Sequence, residues 1–170
     1  HMTDKLKVLI IDDHPLMRRG IKQLVELEEG FEVVGGAGNG SEGISLALQT
    51  SPDLIILDLN MKGLSGLDTL KALRAEDVDA RIVILTVSDA KNDIFTLIDA
   101  GADGYLLKDT EPDTLLSQLK RIAQGEVILS DSIKNLLLER QSSQSPIDSL
   151  TDREIDVLRL VATGLSNKQI

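Results

Sequence analysis

The sequence predicts an α/β protein built on a doubly wound parallel sheet, and two of its features predict this fold. Short apolar runs rich in β-branched residues alternate along the chain with segments whose apolar residues recur at helical spacing. Several of the short runs are apolar throughout, which is typical of strands buried on both faces of a parallel sheet. Parallel strands need crossover connections, and the intervening helices supply them.

The first part of the chain contains five predicted strands, at residues 8–11, 33–34, 54–57, 82–85 and 105–107. A helix with an apolar stripe follows each strand. In chain order the stripes are Met17, Ile21, Leu24 and Val25; Ile44, Leu46, Ala47 and Leu48; Leu67, Leu70 and Leu73; Ile94, Leu97 and Ile98; Leu115, Leu119 and Ile122. For this (βα)5 unit we expect right-handed crossovers and the flavodoxin-like strand order 2-1-3-4-5.

The pattern changes after the fifth helix. A sixth helix is predicted at about residues 132–139, and the polar stretch 141–146 after it has no apolar period, which indicates a flexible linker. We therefore predict a first domain at residues 5–127 and a linker helix with flexible linker at 128–149. The start of a small all-α domain is predicted at residues 150–170.

The predicted all-α domain begins with two helix-start signals. Thr151 and Glu154 form a capping box, and Gly164 is predicted to end the helix that they begin, whose buried stripe is Ile155, Leu158 and Ala162. Ser166 and Gln169 form a second capping box, and the sequence stops inside the first turn of that second helix. We expect this domain to be incomplete, and residues 150–170 to be poorly ordered because the first helix has few neighbours.

The composition excludes several classes of protein. The chain has 170 residues, no Cys and a net charge of -10, from 28 acidic and 18 basic residues. Without Cys there is no disulfide scaffold or thiolate metal site. No apolar run is long enough to span a bilayer and no signal peptide opens the sequence, so a cytoplasmic protein is predicted. The acidic balance is wrong for a nucleic-acid-binding surface, so groups that touch DNA would lie mostly outside this sequence.

Polar residues follow four of the five predicted strands. Asp12 and Asp13 follow the first strand, Asp58 the third, Thr86 the fourth and Lys108 the fifth. Parallel strands end at one edge of the sheet, so these side chains converge. Each pair of like charges at about 4 Å costs on the order of 1 kcal/mol in water, and Mg²⁺, which prefers oxygen ligands, is the natural ion to offset this repulsion. Lys108 and Thr86 suit a bound phosphoryl group; alternatively, Lys108 only pairs with the aspartates.

These residues resemble, in kind, order and spacing, those of the receiver domains of response regulators, over residues 5 to about 125. The resemblance implies that Asp58 is the phosphoacceptor. It also implies a Mg²⁺ site, with Asp13 and Asp58 as side-chain ligands, Asp12 acting through water and Asn60 contributing its backbone carbonyl.

The resemblance implies further roles and shows two departures. Thr86 and Tyr105 would form the switch pair, and Lys108 would contact the phosphoryl oxygens. Most receivers carry Pro where Lys62 stands, and many carry Pro where Asp109 stands. The loop beside the phosphoacceptor is therefore expected to be less rigid here and more positive by one charge.

The last residues carry a second resemblance. Leu150, Thr151, Arg153 and Glu154, followed by Val157, Leu158, Gly164 and residues 166–168, resemble the start of a LuxR-type helix-turn-helix domain. Together the two resemblances identify the chain as a member of the NarL/FixJ family, and the loops look most like those of its nitrate/nitrite regulators. This implies three partners: a sensor histidine kinase of the nitrate/nitrite type, promoter DNA through a complete C-terminal domain, and a second copy of the chain upon phosphorylation. Such a protein catalyses only its own phosphorylation and dephosphorylation.

The sequence fits two other functions less well. A phosphotransferase of the haloacid dehalogenase type also uses a nucleophilic Asp, Mg²⁺ and Lys, but it needs a second Asp where Asn60 stands, and its nucleophile follows the first strand. A single-domain relay is disfavoured by the linker and the helix pair after it. Two weaker signals received structural interpretations: the glycines at residues 35–40 as a strand-to-helix turn, and His14 as a helix-entry residue.

Overall fold

The structure, a computed structural model, describes residues 4–87, 94–129, 131–142 and 151–169. The strands are β1 (Leu6–Ile11), β2 (Phe31–Ala37), β3 (Leu54–Asp58), β4 (Arg81–Thr86), β5 (Gly104–Leu107) and β6 (Ile128–Leu129). The helices are α1 (Pro15–Glu26), α2 (Gly40–Thr50), α3 (Gly66–Ala75), α4 (Ile94–Asp99), α5 (Pro112–Ala123), α6 (Asp131–Ser142) and α7 (Asp152–Gln169).

The strands form a parallel sheet in the order β2-β1-β3-β4-β5-β6 within the described residues. The predicted α/β class and the predicted order of five strands are confirmed. The sixth strand was missed because Ile128 and Leu129 are too short a run to show a period. It pairs with Gly104 and Tyr105 and so extends the sheet beyond β5.

The core has two layers because both faces of the sheet are covered. Leu9 and Ile11 of β1 point into a layer shared with α2, α3 and α4, whereas Val8 and Ile10 point into a layer shared with α1 and α5. All five residues of β3 are buried, as expected for a central parallel strand. The sheet is therefore rigid at the point where β3 ends in Asp58.

Most of the predicted helical stripes are confirmed. Every stripe residue of α4 and α5 is buried, and so are Leu70 and Leu73 of α3. Leu48 of α2 was assigned wrongly, since it is 52% exposed. Ala47 of the same predicted stripe is buried, so the noisy apolar pattern of this helix identified part of the inward face but placed its boundary one residue too far. The predicted sixth helix is α6, which includes residues 141 and 142 of the predicted linker; residues 143–150 lie outside the described part.

The prediction for the end of the first helix of the all-α segment is wrong. Thr151 caps α7 as expected, with its hydroxyl accepting a hydrogen bond from the Glu154 N–H at 3.1 Å. The helix does not stop at Gly164 but runs through the second predicted capping box to Gln169. A glycine inside a helix costs about 1 kcal/mol relative to Ala and does not forbid helical backbone, so Gly164 alone was too weak a stop signal.

The expectation that α7 has few neighbours is also wrong. Val157 is fully buried in the core layer that α4 and Tyr105 share. The Arg153 guanidinium donates to the carbonyl oxygens of Ala102 at 2.7 Å and Ile98 at 3.3 Å, where α4 ends. A cation is favoured there because the last carbonyls of a helix carry partial negative charge.

Arg153 also reaches a buried carboxylate at the amino edge of the sheet. Asp103, which is 5% exposed, accepts hydrogen bonds from Arg74 Nη2 at 2.9 Å and from the Ile82 N–H at 2.9 Å. Arg81 and Arg153 each approach its other oxygen at 3.3 Å. Both oxygens of Asp103 are therefore satisfied, and one carboxylate joins α3, β4 and α7.

None of the helices in the described ranges combines the length and the apolar composition needed to cross a membrane.

We predict that Arg153→Ala will release the first turns of α7 from the rest of the fold. The substitution removes charge-assisted hydrogen bonds, each of which contributes about 1.5–3 kcal/mol, so amide exchange across residues 152–160 should accelerate at least ~10-fold. Hydrogen exchange followed by mass spectrometry measures this. Asp156→Asn, at an exposed position of the same helix, is the control. Equal protection in the two variants would contradict the anchoring role of Arg153.

Candidate functional site

The register of the parallel strands brings the polar residues at the strand ends together. Ile11 of β1 pairs with Leu57 of β3. The next residue in each case is an aspartate, so Asp12 and Asp58 lie side by side at the carboxyl edge. The backbone N–H of Lys108 donates to the Thr86 carbonyl at 2.7 Å, which extends the ladder between β4 and β5 to these two residues. The predicted convergence at the carboxyl edge is therefore present.

A single ammonium group connects two buried carboxylates at this edge. Lys108 Nζ lies 3.1 Å from Asp12 Oδ2 and 3.1 Å from Asp58 Oδ1. The side chains of both aspartates are 2% exposed and that of Lys108 is 6% exposed. Water screens these charges poorly, and the ion pairs therefore hold the three side chains in place.

The electrostatic environment makes Asp58 reluctant to ionise. Burial raises the pKa of its carboxyl group, and the negative charge of Asp12 raises it as well. The hydrogen bond from Lys108 and the backbone N–H of Asn60, which lies 3.3 Å from Asp58 Oδ1, partly oppose this increase. Asp58 Oδ2 is buried and has no hydrogen-bond donor among the described residues. The ionised carboxylate thus lacks a positive partner on one side.

The loop after β3 contributes backbone groups to the site. The N–H of Lys62 donates to Asp13 Oδ2 at 3.1 Å. Proline, which most receivers carry at this position, has no N–H to donate. The departure noted in the sequence therefore has a structural consequence, because it ties the loop to the half-buried Asp13 carboxylate.

Thr86 and Tyr105 lie near this edge but are fully enclosed. Thr86 is 0% exposed, and its hydroxyl has no hydrogen-bond partner among the described residues. Tyr105 pairs in register with Ile84, two residues before Thr86, and its ring packs in the core layer that α4 covers. The structure therefore places Thr86 at the carboxyl edge of the sheet and Tyr105 in the core layer beside α4.

Two residues next to the cluster were not assigned to the site from the sequence. His14 stands at the N-cap position of α1, as the helix-entry interpretation predicts. Its Nδ1 atom nevertheless lies 3.0 Å from Asp13 Oδ1. Gly66 begins α3, and a Cβ atom there would lie 2.6 Å from the Asp58 carbonyl oxygen and 2.7 Å from the Leu59 Cα. The adjacency of His14 to two aspartates was a usable signal, whereas no sequence signal marked Gly66.

The donor atoms of the cluster fit a divalent metal ion. Ligand atoms of Asp12, Asp13, His14 and Asp58 lie within 4.8 Å of one another. Three of the four side chains offer carboxylate oxygens, which are the ligands of hard dications such as Mg²⁺. The buried Asp58 Oδ2 without a donor is the kind of atom that such an ion satisfies.

Comparisons with known proteins agree with this arrangement. Residues 8–120 match the family model of the response regulator receiver domain, and residues 148–170 match that of bacterial regulatory proteins of the luxR family. The chain is 83% identical over 169 residues to a protein of Haemophilus influenzae described as a nitrate/nitrite response regulator protein homolog. That alignment covers 99% of this chain and 81% of the relative.

Two further similarities extend this result. The chain is 56% identical over 167 residues to the nitrate/nitrite response regulator protein NarP of Escherichia coli, covering 96% of this chain and 78% of NarP. Among solved structures, a two-component response regulator of the LuxR family from Aurantimonas sp. SI85-9A1 aligns with a TM-score of 0.75 and 30% identity. This alignment covers 81% of this chain and 99% of the Aurantimonas chain.

We predict that Gly66→Ala will lower the free energy of unfolding. The added methyl group meets the backbone at Asp58 and Leu59, which cannot yield as a flexible side chain would, so a loss of about 1–3 kcal/mol is expected. Urea denaturation measures it. The matched control is Gly20→Ala in α1, where a Cβ atom meets nothing within 4 Å, and where the change should stabilise the helix by about 0.5–1 kcal/mol. Equal effects at the two glycines would refute the close approach.

We predict a pH-dependent gain in stability for Asp58→Asn in metal-free buffer. The pKa of Asp58 in the folded state lies above its usual value of 3.8. As the pH rises from the usual pKa through the folded-state pKa, the carboxyl ionises more readily in the unfolded chain, and the wild type loses stability. The asparagine variant has no such cost and should be more stable at pH 7, with the gain vanishing near pH 4. Urea denaturation at several pH values tests this, with the exposed Asp68→Asn as control. A gain that grows toward low pH would be inconsistent with the raised pKa.

Proposed function

The chain belongs to the two-component response regulators with a LuxR-type DNA-binding domain, and we propose that it accepts a phosphoryl group on Asp58 in a Mg²⁺-dependent reaction. The donor we propose is a sensor histidine kinase. The observation that carries the proposal is the position of Lys108 Nζ, 3.1 Å from both Asp12 and Asp58 at the end of a buried strand. A nucleophilic carboxylate, a place for a cation and a donor for phosphoryl oxygens meet there.

The chemistry proceeds at the Asp58 carboxylate. An oxygen of Asp58 bonds to the phosphorus, the P–N bond of the kinase phosphohistidine breaks, and the released imidazole takes a proton from solvent. Asp12, Asp13 and Asp58 would hold Mg²⁺, with Asn60 contributing its backbone carbonyl. When bound, the ion supplies positive charge that lowers the repulsion between carboxylates and incoming phosphoryl oxygens. A metal ion also favours the ionised carboxylate, which burial disfavours.

Lys108 and Thr86 act on the phosphoryl group once it is attached. The Lys108 ammonium, already oriented by two carboxylates, exchanges part of that pairing for a phosphoryl oxygen. The Thr86 hydroxyl, which is buried and lacks a partner among the described residues, donates a hydrogen bond to another. Tyr105 lies on the path from Thr86 to α4 and completes the switch. The changes at Lys108, Thr86 and Tyr105 control the DNA-binding domain, whose first helix α7 packs on α4.

The proposed biological role follows from the relatives. Those named above are nitrate/nitrite response regulators, and we infer a kinase that responds to nitrate or nitrite, with promoter DNA as the target of the complete C-terminal domain. A protein that regulates promoters acts where the DNA is, in the cytoplasm. Phosphorylation would favour a homodimer. The chain would act as an enzyme only on its own phosphorylation and dephosphorylation, because Asn60 stands where a phosphotransferase of the dehalogenase type needs an acid.

The test is the uptake of a phosphoryl group from acetyl phosphate, followed by intact-mass spectrometry. We expect wild type and the control Asp68→Asn to gain one phosphoryl group with Mg²⁺ and none with EDTA, and Asp58→Asn to gain none. Lys108→Ala should retain Mg²⁺ binding, because the carboxylates hold the ion, while its labelling falls at least ~100-fold through loss of a charge that stabilises the transition state. Full labelling of Asp58→Asn would remove Asp58 from its role.

A further inference from the structure

An imidazole that the proposed phosphoryl transfer does not use lies beside the three carboxylates. His14 Nδ1 is 3.0 Å from Asp13 Oδ1, 3.3 Å from Asp12 Oδ1 and 3.9 Å from Asp58 Oδ2. Ligands bound at about 2.0–2.1 Å to a tetrahedral ion stand about 3.4 Å apart. The three separations from His14 lie on both sides of that value, and ligand atoms of all four side chains lie within 4.8 Å of one another, so shifts of about an ångström or less would let them hold one ion.

Asp58 provides an independent sign that a ligand belongs in this volume. Its side chain is 2% exposed, and its Oδ2 atom has no hydrogen-bond donor among the described residues. A buried anionic oxygen without a partner is costly. Lys108 forms an ion pair with Oδ1 of Asp58. The other oxygen, Oδ2, lies 3.9 Å from His14 Nδ1. A cation held by both would close that gap.

We propose that His14 makes this cluster a site for a first-row transition dication, of which Zn²⁺ is the probe, in competition with Mg²⁺. Mg²⁺ prefers oxygen ligands and keeps several waters, whereas an imidazole nitrogen suits Zn²⁺, Cu²⁺ and Ni²⁺. His14 is 66% exposed, so an ion can reach its nitrogen from solvent. The chain therefore supplies three oxygens and one nitrogen, a set that selects against Mg²⁺ when a transition ion is present.

The consequence for regulation rests on the proposed function. A tetrahedral ion with four protein ligands has a closed shell and no open position for a phosphoryl oxygen. It would also engage the Asp58 oxygens that must attack the phosphorus. Phosphorylation with Mg²⁺ would thus be blocked by the transition ion, and the block would depend on His14.

Binding is tested on the metal-free chain by titration calorimetry with Zn²⁺ and by the visible spectrum with Co²⁺. We expect one Zn²⁺ per chain and the intense absorption of tetrahedral Co²⁺. In His14→Asn, the ratio of Zn²⁺ affinity to Mg²⁺ affinity should fall at least ~10-fold, since losing a ligand costs no less than losing the hydrogen-bond partner of a ligand. The control is His1→Ser, which removes the other histidine of the chain and should leave the ratio as it is.

The outcomes separate this inference from the proposed function. An unchanged ratio in His14→Asn, a weak octahedral Co²⁺ spectrum, or Zn²⁺ lost with His1→Ser would overturn the inference. Labelling by acetyl phosphate with Mg²⁺ that Zn²⁺ blocks in wild type, but ~10-fold less effectively in His14→Asn, would support both proposals. Labelling that Zn²⁺ does not affect would sink the regulatory consequence and leave the proposed function standing. If the wild type bound Zn²⁺ through His14 but took up no phosphoryl group, the zinc site would stand and the proposed function would be contradicted.

Discussion

The structure depends on the ion pairs that hold two buried carboxylates at the carboxyl edge of one parallel sheet. Asp12 and Asp58 are each 2% exposed and share one ammonium group, that of Lys108. Two buried anions and one cation leave an excess of negative charge. Burial raises the pKa of Asp58, and the negative charge of Asp12 raises it further. The sheet tolerates this cost because its register fixes the strand ends and its core is packed on both faces. A cation bound beside these carboxylates would offset the excess negative charge.

The opposite edge of the same sheet handles a buried carboxylate differently. Asp103 has both oxygens engaged, by a backbone N–H and by Arg74, Arg81 and Arg153. A fully satisfied carboxylate has no free lone pair with which to bind an ion or attack phosphorus. Asp103 therefore joins elements of structure, whereas Asp58 keeps one oxygen without a hydrogen-bond donor among the described residues.

The helix α4 lies between these two edges. It follows β4, the strand that ends in Thr86, and the carbonyl of Ile98 in its last turn accepts a hydrogen bond from Arg153 of α7. Tyr105 packs into the core layer that α4 and Val157 of α7 share. Under the proposed function, the effect of a phosphoryl group on Asp58 would be transmitted to the DNA-binding segment through α4 and the ring of Tyr105 that packs against it.

The sequence by itself determined the fold class and the convergence of Asp12, Asp13, Asp58, Thr86 and Lys108, because hydrophobic period and strand-end polarity are local properties. The order of the five strands came from the flavodoxin-like fold that such an alternation of strands and helices favours. The tertiary structure decided what depends on contacts between distant residues. These are the docking of α7 through Arg153, the role of Gly66 as a space without a side chain, and the reach of His14 to the carboxylates. Local signals also overstated Gly164 as a helix end, since whether a helix continues past a weak stop is decided by the free energy of the whole helix and not by one residue.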